Sequence, residues 1–499
     1  MQHLFEGIKG SIEQQQYAKA VKELEKINIQ KLTRAQLGEA DSLLSMLPRE
    51  TLCASVELCY SMFHIKKQKG DMTAAAKWHD ALAGMREPGR NNPYLENRIF
   101  CAGLCMPQGP RFNLLLSLAV LAHEFGDVKF PPARLSVTAK IPSVLRGAMD
   151  FSDLGKHCNA TAGIVKPLLP MLLEDNANGV CEAAVAEILY ERGDLNGASL
   201  QAAGAISADN PEIAFAGLAL LARLGAVDTA AKPPAEILNH IGEMLEKKEA
   251  YWLMPNYKAL CARFDILRGD TEKIRDWISG CELNDFDGYA LQNAYELITK
   301  AKAYIALAEY RNAATLLESL TLSMQKEGRI LDTVECLANG AVVCELLGSG
   351  DLAVSKLEQA LLLAQEYGYV RVFADLGKQM FHLIARYSKE ADPHEGINVN
   401  YIKKITEAAK IYSMLHPSLY NAANGKENGA EEPAGGGLTQ SEVHILQLLD
   451  SGKTNKAIAK ELSIQPTTVS FHLSNVFEKM GVTNRMEAVK AAREMGILS

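Results

Sequence analysis

The sequence predicts an all-α protein in which helical hairpins stack into a solenoid and a small helical domain follows at the C-terminus. Three observations favour this fold class. Apolar residues recur at helical intervals through most of the chain, as in Leu352 to Glu366, whereas alternating strand patterns are scarce. A short turn phrase recurs between the helices. A segment without large apolar residues separates about sixty C-terminal residues from the rest.

Length and composition are those of a globular chain with several domains. The 499 residues are 48% hydrophobic and 22% charged. No apolar run approaches the roughly 20 residues that span a bilayer, and the N-terminus lacks a secretory pattern, so we expect a cytoplasmic protein with no membrane partner. The net charge of −8 excludes indiscriminate coating of nucleic acid but not a small DNA-binding module. The ten scattered cysteines are expected to be buried thiols.

The turn phrase predicts helical hairpins. It occurs at Gly70-Asp71, Gly193-Asp194, Gly269-Asp270, Ala308-Glu309 and Gly350-Asp351. Glycine ends one helix, aspartate caps the next, and a small residue four or five positions later lets the two helices approach. The last three copies start 39 and 42 residues apart, slightly more than the roughly 34-residue tetratricopeptide period. The alternative is a non-repetitive helical bundle.

Four regions follow from these patterns. An N-terminal helical region covers 1–160, and a tetratricopeptide-like repeat region with a sensing role covers 161–418. Residues 419–437 form a flexible linker, because their Gly, Asn, Glu and Pro content cannot offset the entropy of ordering. Residues 438–499 form the C-terminal helical domain.

Capping residues divide the C-terminal domain into four helices. Thr439, Thr454 and Asn484 are N-cap residues for the first, second and fourth helices. Gly452 separates the first two helices, and Pro466 fits the first turn of the third.

The third helix of this domain has two distinct faces. One face is an aliphatic stripe of Val469, Leu473, Val476 and Met480, which predicts burial. His472 lies at the edge of this stripe and is expected to pack rather than to read bases. The opposite face carries small polar residues and Phe471, a composition typical of a helix that enters a DNA major groove.

The domain resembles the LuxR/response-regulator helix-turn-helix family over essentially all of 438–499. Matching strings include Leu438-Thr439, Ile445-Leu446, Ile458-Ala459, Thr468-Val469 and Val482 to Arg485. The resemblance, together with the polar face, implies double-stranded DNA as a partner and the following contact residues: Lys456, Thr467, Thr468, Ser470, Phe471, Ser474, Asn475, Lys479 and Arg485.

The sequence departs from that family at two positions. Ser441 and Ser470 stand where the family usually has arginine and lysine, and the domain from Gly437 carries a net charge of only about +1. A single copy should therefore bind DNA weakly, and a homodimer on two half-sites is expected.

Two further segments, Pro142–Ser152 and Gly368–Gly377, resemble the large ATP-dependent LuxR-type regulators, the group typified by the bacterial maltose-regulon activator. In that group an NTPase domain precedes a helical repeat sensor and a helix-turn-helix. This chain matches only the last two parts, so we expect no NTPase domain and no cofactor. Ser451-Gly452-Lys453-Thr454 lacks the earlier glycine of a phosphate-binding loop. A piece of a longer ATPase is the alternative.

The features together predict a sequence-specific DNA-binding transcription regulator and not an enzyme. Neither a catalytic arrangement nor a metal motif can be named, and the acidic residues follow helical surface spacing. The repeats are expected to sense a small-molecule inducer or a regulatory protein. The candidate site for that ligand is an aromatic-rich set, with core packing as the alternative: Tyr251, Trp252, Tyr257, Trp277 and Tyr289. The alternative function is a repeat-protein adaptor or antagonist of a regulator protein, with a degenerate helix-turn-helix.

Overall fold

The computed structural model describes residues 1–89, 92–106, 134–148, 150–156, 158–228, 231–285, 291–390, 396–420, 440–462, 466–480, 482–494 and 498. Within these ranges the regular structure is entirely helical, which confirms the predicted fold class. The N-terminal part contains α1 (Gln2–Glu13), α2 (Tyr17–Leu24), α3 (Arg34–Ser45), α4 (Arg49–Cys53), α5 (Val56–Gln68), α6 (Met72–Ala83) and α7 (Pro93–Leu104).

The repeats consist of antiparallel hairpins, each with a first and a second helix that pack together. Three short helices lead into them, namely α8 (Ser152–Gly155), α9 (Cys158–Val165) and α10 (Leu169–Leu173). The hairpins are α11 (Val180–Glu191) with α12 (Leu195–Ile206), α13 (Pro211–Gly225) with α14 (Pro234–Lys247), α15 (Met254–Arg268) with α16 (Thr271–Ser279), α17 (Ala294–Ala306) with α18 (Tyr310–Lys326), and α19 (Ile330–Leu346) with α20 (Gly350–Gln365). The short α21 (Arg371–Ala374) precedes a last pair, α22 (Gly377–Glu390) and α23 (Val399–Leu415).

Four of the five turn phrases lie where the sequence predicts. Gly70, Gly193 and Gly269 adopt left-handed φ angles of 79°, 83° and 72°. The aspartate after each glycine accepts a hydrogen bond from the backbone N–H three residues later. Ala308 takes the same conformation, at 61°, although its side chain makes this backbone unfavourable.

The fifth turn begins two residues earlier than predicted. Gly348 is the left-handed residue, at 75°, and Ser349 is the N-cap. Gly350 and Asp351 form the first turn of α20 instead. The turns at 269, 308 and 348 are therefore 39 and 40 residues apart. The prediction of Gly350 was wrong because either glycine suits a local turn, and only the packing of the hairpin selects one.

The helices that follow these five turns share one buried position. The residue four places after each N-cap has no exposed surface, and in all but one hairpin it is alanine: Ala75, Ala198, Ile274, Ala313 and Ala353. A side chain of one carbon lets the second helix of the hairpin approach the first closely.

We expect Ala353→Leu to lower the free energy of unfolding by about 1–3 kcal/mol, because three more carbons must enter a filled interface. Its neighbour Leu352 is 51% exposed, so Leu352→Ala should change stability by less than about 0.5 kcal/mol. Urea unfolding of both variants measures the difference. Equal midpoints would contradict the close approach of α19 and α20.

First and second helices of the hairpins differ in burial. In α17 twelve of thirteen residues are buried, and in α19 fourteen of seventeen. In α16 one of nine is buried, and in α20 five of sixteen. A helix that packs on one side buries only a stripe, so the first helices must also be covered on the face that points away from their partners.

A non-helical stretch, residues 134–148 and 150, provides this cover, and we call it the inner segment. Its side chains and backbone are largely buried, and it packs against the first helices of the hairpins. Four side chains form hydrogen bonds with the inner segment, at donor–acceptor distances of 2.7–3.0 Å. Three of them belong to first helices, and the fourth belongs to the residue that precedes α19: Glu187, Glu212, Asn256 and Arg329. Lys140 also donates to the carbonyl of Leu32 at 2.9 Å, which ties the N-terminal helices to the repeats.

The cysteines only partly follow the prediction. In the described part of the chain nine are free thiols, of which five are buried and four are half-buried. Burial raises the pKa of Cys101 to about 12, so this group stays protonated. None of the described helices is long and apolar enough to cross a membrane.

Candidate nucleic-acid interface and repeat interior

The C-terminal domain forms four helices around one apolar core. They are α24 (Gln440–Asp450), α25 (Asn455–Glu461), α26 (Pro466–Met480) and α27 (Arg485–Glu494). Each helix contributes fully or nearly fully buried side chains to the core, among them Ile445, Leu446, Ile458, Val469, Val476, Ala488 and Ala492. This core includes the aliphatic stripe that the sequence predicts for the third helix.

Local capping explains the helix bounds in this domain. Gly452 lies in the left-handed region at 79°, and the Thr454 hydroxyl accepts from the backbone N–H of Ala457 at 3.3 Å. Pro466 is the first residue of α26. The Asn484 side chain accepts from the backbone N–H of Glu487 at 3.0 Å. These four predictions are confirmed, whereas Thr439 lies outside the described residues.

The third helix, α26, buries its aliphatic face. Val469, Leu473 and Val476 are 5% exposed or less, and Met480 is half-buried. His472 is also buried, at 3% exposure, as its place beside the stripe predicts. For the other face, the structure describes the helical backbone but not the side chains of Thr467, Thr468, Phe471, Ser474, Asn475 and Lys479.

Ser470 is the candidate contact residue of α26 whose surroundings are described. It is exposed, and its hydroxyl accepts a hydrogen bond from the Asn455 amide at 3.1 Å. The same hydroxyl donates to the carbonyl of Pro466 at 3.1 Å. The serine therefore links the start of α25 to the start of α26.

Exposed cations surround the first turns of α25 and α27. Lys456 is exposed, and among the contacts of the described residues none engages its ammonium group. Arg485 is exposed and donates to the carbonyl of Lys453 at 3.2 Å. Arg485 thereby links the α24–α25 turn to α27.

The interior of the repeats contains a cavity of about 110 Å³ between the inner segment and the first helices. Charged and aromatic side chains line much of it. The cations are Arg146 of the inner segment and three residues from α13, α15 and α17, namely Arg223, Arg263 and Lys302. The carboxyl groups are Glu187, Glu335 and Asp375, and the aromatic rings include Tyr190, Tyr295, Tyr412 and Phe264.

Glu335 of α19 is the common partner of three cations. One of its oxygens lies 2.6 Å from the Lys302 ammonium and 3.1 Å from the Arg263 guanidinium, and the other contacts Arg146. Burial acts to raise the pKa of Glu335, but Arg263, Lys302 and Arg146 outweigh it, so the pKa lies well below the usual value of a glutamate. Glu335 is therefore ionised at neutral pH.

Glu187 of α11 binds the backbone of the inner segment. Its carboxyl group accepts from the N–H groups of Val144 at 2.7 Å and Leu145 at 3.4 Å, and from the Ser143 hydroxyl. Burial raises the pKa of Glu187 to about 7 despite these donors. The expectation that acidic residues follow surface spacing is wrong for Glu187, Glu212 and Glu335, because the inner segment covers the helix faces that a bare solenoid would expose.

The predicted aromatic set lies away from this cavity. Tyr251 is 55% exposed, and Tyr257 donates to the carbonyl of Leu238 at 3.1 Å. Trp252, Tyr257 and Trp277 are half-buried against the core formed by α13, α14 and α15. Tyr289 lies outside the described residues. These positions have the contacts of packing residues, and none of the four described residues lines the cavity.

Sequence reasoning missed the cavity cations, but two segments that it singled out meet there. Pro142–Ser152 supplies Arg146, and Gly368–Gly377 supplies Asp375. The Tyr369 hydroxyl donates to the Ser152 hydroxyl at 2.9 Å and joins the two segments. The resemblance of both segments to one group of regulators was therefore the available signal for a site.

Comparison with protein families assigns two regions of the chain. Residues 174–390 match the family described as MalT-like TPR region. Residues 437–492 match the family described as bacterial regulatory proteins, luxR family. The first match covers the hairpins from α11 to α22, and the second covers the four C-terminal helices. Both resemblances that the sequence suggested are confirmed.

Curated relatives named HTH-type transcriptional regulator MalT match part of the chain. The protein of Vibrio campbellii is 27% identical over 243 residues, which are 46% of this chain and 26% of the relative. That of Vibrio cholerae is 29% identical over 203 residues, or 39% and 22% of the two chains. That of Serratia proteamaculans is 23% identical over 253 residues, or 46% and 26%. The match thus spans about a quarter of these relatives. The chain carries a MalT-like TPR region followed by the DNA-binding domain of luxR-family transcription regulators.

Proposed function

We propose that the chain is a sequence-specific DNA-binding transcription regulator whose helical repeats sense a ligand or a protein partner and thereby control DNA binding. The supporting observation is the luxR-family match over 437–492, carried by four helices around one core. In such a domain α26 enters the major groove and α25 crosses the backbone. The protein would act on chromosomal DNA, and therefore in the cytoplasm.

A single domain provides little electrostatic affinity. From Gly437 onward, the sequence contains seven lysines and arginines and six acidic residues, which gives a net charge of +1. Phosphate contacts dominate the affinity of most DNA-binding domains, so one copy would bind weakly. We infer a homodimer on two half-sites, in which two copies of α26 reach successive major grooves.

The repeats would control DNA binding through the pairing of these domains. A ligand that binds one arrangement of the repeats more tightly than another shifts the population toward it. No chemical reaction is needed, since the coupling is the difference between the two affinities.

Two substitutions separate base reading from phosphate contact. We expect Lys456→Ala to weaken binding to all DNA sequences alike and to reduce the slope of log affinity against log salt by about 1. Phe471→Ala should instead reduce the preference for the operator over other DNA by about 1–3 kcal/mol. Gel-shift titrations with promoter fragments, identified by genome-wide mapping of bound DNA, measure both effects.

Lys460→Ala is the matched control for Lys456→Ala, because both lysines are exposed residues of α25. It should leave the salt slope unchanged. The proposed function would be overturned if the parent chain showed no salt-sensitive, sequence-preferring binding to DNA under any ligand condition tried.

One observation favours a second candidate, an adaptor or antagonist that binds a regulator protein through the repeats. Position 470 carries a serine whose hydroxyl is used within the domain, by Asn455 and Pro466, where the related family usually has a cation. Affinity capture tests this candidate. One dominant protein partner, together with no DNA affinity, would favour the adaptor over the regulator.

A further inference from the structure

We propose that the cavity inside the repeats binds a small organic anion, a carboxylate or a phosphate ester, between the guanidinium groups of Arg223 and Arg263 and the ammonium of Lys302. This inference rests on the proposed function, since it gives the sensing region a ligand of stated chemistry. It stands on the charges, the open donor and the size of the cavity.

The lining of the cavity carries more cations than carboxyl groups. Its four basic side chains are Arg146, Arg223, Arg263 and Lys302. Its three carboxyl groups are Glu187, Glu335 and Asp375, and burial raises the pKa of Glu187 to about 7, so that Glu187 is only partly ionised at neutral pH. Buried charge without a counter-ion is costly, and an anion in the cavity would offset that cost.

The Arg263 side chain presents an open hydrogen-bond donor at this place. Its Nε donates to the Thr299 hydroxyl at 2.8 Å and one Nη pairs with Glu335, whereas the second Nη is buried without a hydrogen-bond partner. The guanidinium lies 3.9 Å from the centre of the Tyr295 ring, which fixes its plane. A carboxylate or phosphate oxygen could accept a hydrogen bond from this second Nη, so that every nitrogen of the guanidinium would have a partner.

A bound anion would also stabilise the charged form of Lys302. Burial lowers the pKa of its ammonium group, and Arg263 adds to the decrease, although Glu335 opposes it. A bound anion would favour the charged ammonium, so the ligand and the proton on Lys302 support each other.

Size and lining define the rest of the ligand. A volume of about 110 Å³ is smaller than the roughly 150 Å³ of an engineered protein cavity that admits benzene, so the ligand is small, with on the order of six non-hydrogen atoms. The faces of Tyr190, Tyr295 and Phe264 would contact its carbon skeleton. Because Arg146 belongs to the inner segment and the other cations belong to the first helices, one anion would join these two parts of the structure.

The test is calorimetric titration of the full chain with inorganic phosphate, with succinate and with a neutral sugar, at constant ionic strength. We expect saturable binding of phosphate or of succinate, and the arm that binds identifies the ligand chemistry. Arg263→Gln and Lys302→Met should each weaken this binding at least tenfold. Arg263→Lys, which keeps the charge but not the fork, should lie between the parent and Arg263→Gln.

Arg268→Gln is the matched control. Arg268 lies on the same helix, α15, and pairs with one carboxylate, Asp265, at 2.6 Å, but it does not line the cavity. This variant should bind the anion as the parent does. Binding of neither anion by the parent, equal loss in Arg268→Gln, or binding of the neutral sugar alone would overturn the anion site. Gel shifts on the same samples test the proposed DNA-binding function separately. Anion binding without DNA binding would refute the DNA-binding function and leave the anion site standing.

Discussion

Replacing Glu335 by glutamine should lower the free energy of unfolding by about 3–5 kcal/mol. The substitution keeps the shape of the side chain but removes the charge that Arg146, Arg263 and Lys302 share. Those three cations are then buried with too few counter-ions, which is the costly outcome when one partner of a buried ion pair is removed. Urea unfolding followed by circular dichroism measures the change in midpoint.

The matched control lies on the same helix. Glu345 of α19 pairs with Arg386 at 2.6 Å, but about a third of each side chain is exposed to water. Exposed pairs contribute little, so Glu345→Gln should cost less than about 1 kcal/mol. Equal midpoints for the two variants would show that the Glu335 cluster does not stabilise the repeats.

Acid should erase the difference between the parent and Glu335→Gln. The pKa of Glu335 in the folded state lies well below its ordinary value of 4.5. A group with a lowered folded pKa stabilises the protein above its unfolded pKa and loses this contribution as the pH falls toward the folded pKa. The two unfolding curves should therefore converge below pH 4.5.

Glu335→Gln should also gain more stability than the parent from an anion that fills the cavity.

The C-terminal domain could be predicted from sequence because its signals are local. Thr454, Pro466 and Asn484 act on backbone groups within three residues of themselves, and the aliphatic stripe of α26 follows the helical period. Ser470 shows the limit of this reasoning. Its bond to Asn455 crosses from one helix to the next, and nothing in the local sequence marks the two residues as partners.

The inner segment could not be predicted, because its contacts are distant in sequence. Residues 134–148 have no helical period, so they resemble a surface loop. Their partners, such as Glu187, Asn256 and Arg329, lie about 40 to 180 residues away. In isolated helices Glu187 and Asn256 would lie on exposed faces, and Arg329 would lie at an exposed helix start. Only the path of the chain through the repeats turns them into buried groups.

The candidate ligand site, like the inner segment, depends on contacts between residues that are distant in sequence. Aromatic residues are easy to notice in a sequence, which is why sequence alone predicts a ligand site at Tyr251, Trp252, Tyr257, Trp277 and Tyr289. The cavity instead depends on single cations from separate helices, each of which looks like an ordinary solvated charge. Their convergence is set by the stacking of the hairpins, with spacings near 40 residues that vary too much to align individual side chains.

Glu187→Gln should remove a pH dependence of stability that the parent protein shows between about pH 4.5 and 7. In the unfolded chain a glutamate releases its proton near pH 4.5, whereas burial raises the pKa of Glu187 to about 7 in the folded protein. Between these values the folded state holds a proton that the unfolded state has lost. Stability due to this group therefore falls as the pH rises, by about 3 kcal/mol over the window.

Glutamine can replace the protonated carboxyl group at this site without titrating. Its carbonyl oxygen can accept from the N–H groups of Val144 and Leu145, and its amide can donate to the Ser143 hydroxyl. We therefore expect the variant to gain about 3 kcal/mol on the parent between pH 4.5 and 7.5, in urea unfolding at several pH values, while the curve for Glu345→Gln stays parallel to that of the parent. Parallel curves for Glu187→Gln would contradict the assignment.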